Sequence, residues 1–200
     1  MGLFLHWVTG NYIEIIAATL GLIAIYLQIK QKIWYWPVSI VLVSLYILVY
    51  IEAKLYADMS LQVYYLVISF YGWYHWVFGK KHSGQDKVMV TKSSRKLMLI
   101  LFFVSMGLFI LISQFLVSYT DSDLPYWDAF TTSLSFVATW MLARKILENW
   151  LVWIVVDAVS VGIYIYKGLY PTTVLFLVLT ILAMVGYVAW KKDLEAHESN

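Results

Sequence analysis

Trp150, Trp153, Asp157, Ser160 and Tyr164 follow one another at steps of three, four, three and four. On an α-helix that spacing puts them all on one face. Asp157 is the sharpest of them, an ionisable group in the middle of an apolar run. An acid at the centre of a membrane-spanning helix costs roughly 2.5–3.5 kcal/mol on insertion scales, so such a group faces a cavity or a polar partner. Between tryptophans, a carboxylate suits a cationic aromatic ligand, through charge pairing and a cation–π attraction of about 0.5–2 kcal/mol. A structural hydrogen bond to a hydroxyl on a neighbouring helix is the alternative. Trp36, Ser39, Val43, Tyr46 and Tyr50 repeat the same spacing. Leu or Ile would fill a bundle core equally well, so rings with polar tips point to a flat heterocycle. The two stripes are expected to face an axis relating two halves of the protein.

Gln62 has an amide that both donates and accepts, which matches a carboxamide ligand or an interhelical hydrogen bond. Asn149 either joins the site or caps the helix that opens at Trp150. Tyr65 and Trp140 fit a ligand or a packing role. Glu14 and Asp128 open helices, where the dipole favours acids, and are read as structural. Trp73, Trp76 and Trp190 are read as interfacial belts. The expected substrate-binding set is Asp157, Trp153, Trp150, Gln62, Tyr164, Tyr46, Trp36, Tyr65 and Asn149, with no catalytic residue, metal ligand or cofactor.

Several chemistries lack their residues. The chain has no Cys, and so no thiolate metal site or disulfide. It has no G-x-x-x-x-G-K-[ST] to hydrolyse nucleotide and no G-x-S-x-G nucleophile. No lysine stands in the middle of the last apolar run to hold retinal, and no chain of acids forms a proton relay. Passive facilitated diffusion of a small solute is the expected mode, with no enzymatic activity.

The elements that must carry these residues are membrane helices. Of 200 residues, 62% are hydrophobic and 13% charged, more apolar surface than a soluble domain of this size can hide. Apolar runs long enough to cross about 30 Å of hydrocarbon recur at Tyr12–Leu27, Trp34–Ile51, Met59–Phe78, Leu97–Val117, Trp127–Leu142, Trp150–Tyr166 and Pro171–Trp190. Pro37 and Pro171 fall in first turns, where a missing N–H costs little. The N-terminus lacks the basic region of a cleaved signal peptide, so the first span is expected to stay. Lys30, Lys32, Lys80, Lys81, Lys87, Lys92, Arg95, Lys96, Arg144, Lys145, Lys191 and Lys192 fall on one side of such a threading, against Lys54 and Lys167 on the other. The positive-inside rule then places the N-terminus outside and the C-terminus in the cytoplasm. The net charge of +2 argues for no nucleic-acid partner.

A shift of 114 positions lays the first three spans on the last three without a gap. Glu14 falls on Asp128, Lys30 on Arg144, Trp36 on Trp150, Tyr50 on Tyr164, Tyr56 on Tyr170, Gly72 on Gly186 and Trp76 on Trp190. An even number of spans separates the copies, so they run in the same direction, the parallel repeat that builds sugar-transporter bundles. The expected organisation is an all-α membrane protein with seven transmembrane helices. A first bundle covers 1–78, an exposed, basic cytoplasmic linker 79–96, a linking helix 97–117, a second bundle 127–190 and a cytoplasmic tail 191–200.

Trp36-Pro37 within WYWP, LYADMSLQVYY ending at Tyr65, YGWYHW ending at Trp76, LPYWDAF from Leu124 and ENWLVWIVVDAVS from Glu148 occur in that order. With these motifs the chain resembles the PnuC family of bacterial vitamin transporters along nearly its whole length. The resemblance implies a SWEET-like arrangement of 3+1+3 helices, uptake of nicotinamide riboside across the inner membrane by facilitated diffusion, trapping by a cytoplasmic kinase, and a homotrimer. It implies that Gln62, Trp150, Trp153 and position 157 contact substrate. Riboside transporters of the family often have Asn where Asp157 stands. An ionised carboxylate only accepts hydrogen bonds, which suits the aminopyrimidine of thiamine better than a carboxamide. Nicotinamide riboside is placed first, thiamine second and the neutral, larger riboflavin third. A membrane receptor that binds without transport is the reading from another class.

Overall fold

Every described segment that is apolar over four or more turns is a helix. The computed structural model describes residues 12–52, 56–79 and 88–198. Its helices are α1 (Tyr12–Ile29), α2 (Tyr35–Glu52), α3 (Tyr56–Phe78), α4 (Arg95–Tyr119), α5 (Pro125–Ala143), α6 (Asn149–Tyr166) and α7 (Tyr170–Glu198). No strand occurs among the described residues beyond an isolated bridge between Thr91 and Ile146. Each helix matches an apolar run read from the sequence, and the differences lie at the ends. Pro125 starts α5 two residues early, since its fixed φ fits the first helical turn. The last helix runs past Trp190 through a polar stretch braced by Lys191–Glu195 and His197–Asp193 contacts, both at i,i+4 spacing.

The chain divides between Gly79 and Lys80 into two compact units. In the first, α1 packs on α2 and α2 on α3; in the second, α4 packs on α5, α5 on α6 and α6 on α7. Arg95–Tyr119, Asn149–Tyr166 and Tyr170–His197 are each long and apolar enough to cross a membrane, and Tyr35–Ile51 is a shorter apolar helix. Leu99, Phe103 and Leu111 on α4, Val67 and Tyr74 on α3 and Ile181 on α7 are exposed. A helix apolar on all sides with its large side chains uncovered has lipid as its solvent. The buried residues of α5 combine small ones, Ala129, Ser133, Ala138, Thr139 and Ala143, which allow close helix contact, with the larger Val137, Met141 and Leu142. Ser133, Ser135 and Thr139 return their hydroxyl protons to carbonyls three or four residues back, so none leaves a free donor in the packed face.

The turn after α1 and the turn after α5 are the same structure twice. After α1, Gln31 N–H donates to Gln28 O and Lys32 N–H to Leu27 O; after α5, Lys145 N–H donates to Leu142 O and Ile146 N–H to Met141 O. This is a Schellman ending, and its left-handed residue is non-glycine in both copies, Gln31 with φ 51° and Lys145 with φ 54°. A third Schellman ending closes α6, with Gly168 in the left-handed position.

The linker differs from the exposed segment expected. Val88 and Val90 are buried, and residues 88–93 lie along the α5–α6 turn as a strap. Thr91 N–H donates to Lys145 O and Leu147 N–H to Thr91 O. Lys145 Nζ, itself buried, donates to Val88 O at 2.8 Å, and Ser93 N–H to a Glu148 carboxylate oxygen at 3.0 Å. Ser94 then caps α4 by accepting from Leu97 N–H. Lys54, Lys80, Lys81 and Lys87 of the charge-bias argument, and the side chain of Glu14, lie outside the described residues. Lys145→Met removes a buried charged donor and is expected to cost about 1.5–3 kcal/mol. Thermal unfolding in detergent checks this, with the exposed Lys32→Met expected to change stability by less than about 0.5 kcal/mol.

Candidate functional site

Asp157 is 5% exposed. No described residue gives its carboxylate a hydrogen bond or an ion pair, whereas the half-exposed Asp128 has both, accepting from Ser122 Oγ at 2.6 Å and facing Lys167 Nζ at 3.8 Å. Asp128 at the first turn of α5 therefore has the structural role read for it. Around Asp157 further polar atoms are buried without a partner in the protein: the indole N–H of Trp150, the indole N–H of Trp153 and the side-chain oxygen of Asn149. Two donors, an acceptor and a carboxylate within nine residues make α6 the helix with the largest unmet hydrogen-bonding capacity among those described. Each such group is costly in a low-dielectric interior.

The helix geometry explains why they collect. Trp150, Trp153, Asp157, Ser160 and Tyr164 lie within about 80° of one another at 100° per residue. Ser160 and Ile163 are buried with them. Ser160 satisfies itself by donating to Val156 O at 2.8 Å. Tyr164 stacks on Phe176 of α7, centroids 5.0 Å apart. At the other end Trp150 lies over Gly186 and meets Trp190 edge to face at 5.5 Å, both on α7. The stripe is thus turned at both ends to α7 of its own unit. Gly186, with no side chain, makes room for the ring there. Asn149 opens α6 and is wholly buried, with its Nδ2 donating to Ile146 O at 2.6 Å. It does not cap the helix; the cap position is Glu148, whose side chain makes no capping bond.

The first unit has the same frame with different polar content. Trp36 is fully buried over Gly72, with Trp76 edge to face at 5.4 Å. Ser39 and Ser69 hydroxyls are 3.4 Å apart, and Ser69 also donates to Tyr65 O. Tyr46 stacks on Tyr50 at 6.0 Å. Gln62, Tyr46 and Tyr65 are half-buried. Val43, the counterpart of Asp157, is buried and carries no charge. Trp76 and Trp190 are buried partners of Trp36 and Trp150 rather than interfacial belts, which corrects that expectation; Trp73 is exposed. Sequence reasoning missed Ser69 and the two glycines, although the alignment of Gly72 on Gly186 was a signal for the latter.

A cavity of about 460 Å³ opens on the opposite face of α6, lined by Leu124, Trp127, Ala158, Val159, Gly162, Ile163 and Tyr166. It takes in none of the stripe residues, and its lining is mostly apolar, with the Trp127 indole and Tyr166 phenol as its side chains that carry a polar group.

Apolar helices with lipid-exposed faces and a buried polar stripe define a multi-pass membrane protein of the small-solute transporter class. The family model described as nicotinamide mononucleotide transporter matches residues 11–192, and the chain belongs to that family, the PnuC transporters. It is 27% identical to the nicotinamide riboside transporter PnuC of Escherichia coli (strain K12), over 90% of this chain and 85% of the relative. It is 26% identical to the riboflavin/roseoflavin transporter RibM of Streptomyces davaonensis, over 88% and 83%. A crystal structure of the vitamin B3 transporter PnuC superposes with a TM-score of 0.74 at 21% identity, covering 98% of this chain and 87% of that one.

Because Asp157 has no hydrogen-bond or ion-pair partner among the described residues, replacing it by the valine of the other unit removes a buried acid and no polar contact seen there. Asp157→Val is expected to raise the melting temperature in the absence of ligand, by the equivalent of about 1–3 kcal/mol. Unfolding followed by intrinsic fluorescence checks this; a drop would mean the carboxylate holds the fold together.

Proposed function

We propose that this protein takes up a cationic vitamin precursor, nicotinamide riboside first, across the bacterial inner membrane by facilitated diffusion, with trapping by a cytoplasmic kinase. The observation that carries the reading is the buried, partnerless carboxylate of Asp157 beside the unpaired indole N–H groups of Trp150 and Trp153. A cationic heteroaromatic ring with hydroxyl substituents would satisfy them together: its charge faces the acid, its hydroxyls accept from the indoles, and its face lies on a ring. The relative from Escherichia coli, named for nicotinamide riboside, supports that substrate.

Asp157 and Trp153 are assigned direct contact, with Tyr164 and Asn149 bounding the stripe. Gln62, Tyr46 and Tyr65 are candidates from the first unit. Trp36 and Trp150, enclosed over their glycines, hold their helices, and Trp150 also offers its unpaired indole N–H to the ligand. The duplicated units joined by α4 form a 3+1+3, SWEET-like arrangement in this reading, with the N-terminus outside, the C-terminus cytoplasmic and a homotrimer as the assembly.

Thiamine uptake is the second reading, favoured by the acid itself. A carboxylate only accepts, and an aminopyrimidine offers an amine to donate. Riboflavin is neutral and gains nothing from Asp157, although a relative is named for it. Binding of all three vitamins to purified wild type and Asp157→Asn separates these readings. Asp157→Asn is expected to weaken thiamine about tenfold or more, as loss of a charged hydrogen bond does, with a smaller loss for the riboside. Unaltered affinities would make Asp157 structural. Uptake into liposomes should saturate and persist when proton and sodium gradients are collapsed; uptake that needs either gradient would end the facilitated-diffusion part.

A further inference from the structure

Gly186 and Trp190 offer nothing to a ligand, yet they hold the residue that starts the polar stripe. A Cβ built on Gly186 would stand 2.6 Å from Cη2, Cζ2 and Cζ3 of Trp150, the far edge of the benzo ring. Side chains do not approach so closely, so only a bare Cα admits the indole there. Trp190, one turn along α7, closes the ring from the side at an interplanar angle of 88°. The first unit repeats the socket: a Cβ on Gly72 would meet the same three atoms of Trp36, and Trp76 closes it at 89°. Both rings are at most 1% exposed. A lone indole over a glycine could be chance packing; two copies differing by 0.1 Å in ring spacing, 5.4 Å against 5.5 Å, are a shared device.

A bulky ring locked in a slot fixes how a helix is rotated about its axis. Asp157 lies seven residues beyond Trp150, offset by about 20° in azimuth and about 10 Å along α6. Locking Trp150 therefore aims Asp157. We propose that Gly186 and Trp190 are positioning residues that key α6 at the rotation presenting Asp157 to the ligand, and that Gly72 and Trp76 do the same for the α2 stripe. This rests on the reading of Asp157 as the ligand-binding acid, but the register of α6 can be tested without any ligand.

The chain has no cysteine, so Asp157→Cys introduces a single thiol whose reaction with N-ethylmaleimide reports its surroundings. Adding Gly186→Ala should change the labelling rate about fivefold or more, in either direction, as overpacking of this size shifts an equilibrium. Trp150→Phe should then restore the rate to within about twofold, because a phenyl ring does not reach the atoms that collide. An unchanged rate in Gly186→Ala, or a changed rate that Trp150→Phe does not restore, overturns the proposal. If Gly186→Ala fails to accumulate in membranes, recovery of both accumulation and labelling rate in the double variant supports the key, and no recovery overturns it. With Asp157 intact, Gly186→Ala should also raise the Kd for nicotinamide riboside about fivefold or more. Labelling that shifts and recovers while wild type binds no vitamin would leave the key standing and remove only the functional reading.

Discussion

A carboxylate in an apolar layer needs a partner, a cavity or a ligand, and Asp157 has no partner among the described residues. Burying an acid without a partner is costly, and α6 carries such an acid near its middle. What surrounds it is correspondingly firm. The α6 start is strapped by residues 88–93 through Lys145 and Glu148, its first ring is locked over Gly186, and its end is closed at Gly168. A group that destabilises the fold persists where the rest of the element is over-determined, which is the usual condition of a binding residue.

The duplication separates frame from content. The turn bonds, the left-handed residues and the indole sockets agree between units. The interior positions diverge: Val43 becomes Asp157, Ser39 becomes Trp153, Tyr35 becomes Asn149, and Ser69 becomes Ala183. In the first unit the two hydroxyls meet each other and a carbonyl, while the buried indole N–H groups of Trp36 and Trp76 find no partner among the described residues. In the second, a larger ring stands at one position of the pair and a smaller residue at the other, and the polar capacity is left over. The frame was duplicated, and the second copy added a carboxylate, Asp157, to it.

Much of this was legible in the residues. Seven apolar runs became seven helices, because composition decides burial in lipid and periodicity only decides which face turns inward. The stripe on α6 was also legible, since three-and-four spacing fixes a shared face. Its direction was not. Spacing shows that Trp150 and Tyr164 lie together but not that α7 receives them; that depends on Gly186 and Phe176, far along the chain. Trp76 and Trp190 were misread for the same reason: a tryptophan near a helix end looks interfacial until the glycine one turn earlier is seen to admit another indole beside it. The strap was hidden because a basic linker looks solvated, although the alternation of Val88 and Val90 within it was the trace of a segment with one buried side.

The two identical turns show how tertiary contacts set what a local position tolerates. A non-glycine residue in the left-handed region costs roughly 1–2 kcal/mol, and glycine is the usual solution, as at Gly168. At Lys145 the cost is offset by a contact that glycine could not make: its side chain reaches across to the Val88 carbonyl. The residue that breaks the local preference is thus the one that ties the linker to the turn. The aim of α6 depends on this turn at its start and on the glycine under Trp150. Neither residue could be chosen for its own local propensity, and both follow from what the neighbouring segment must find there.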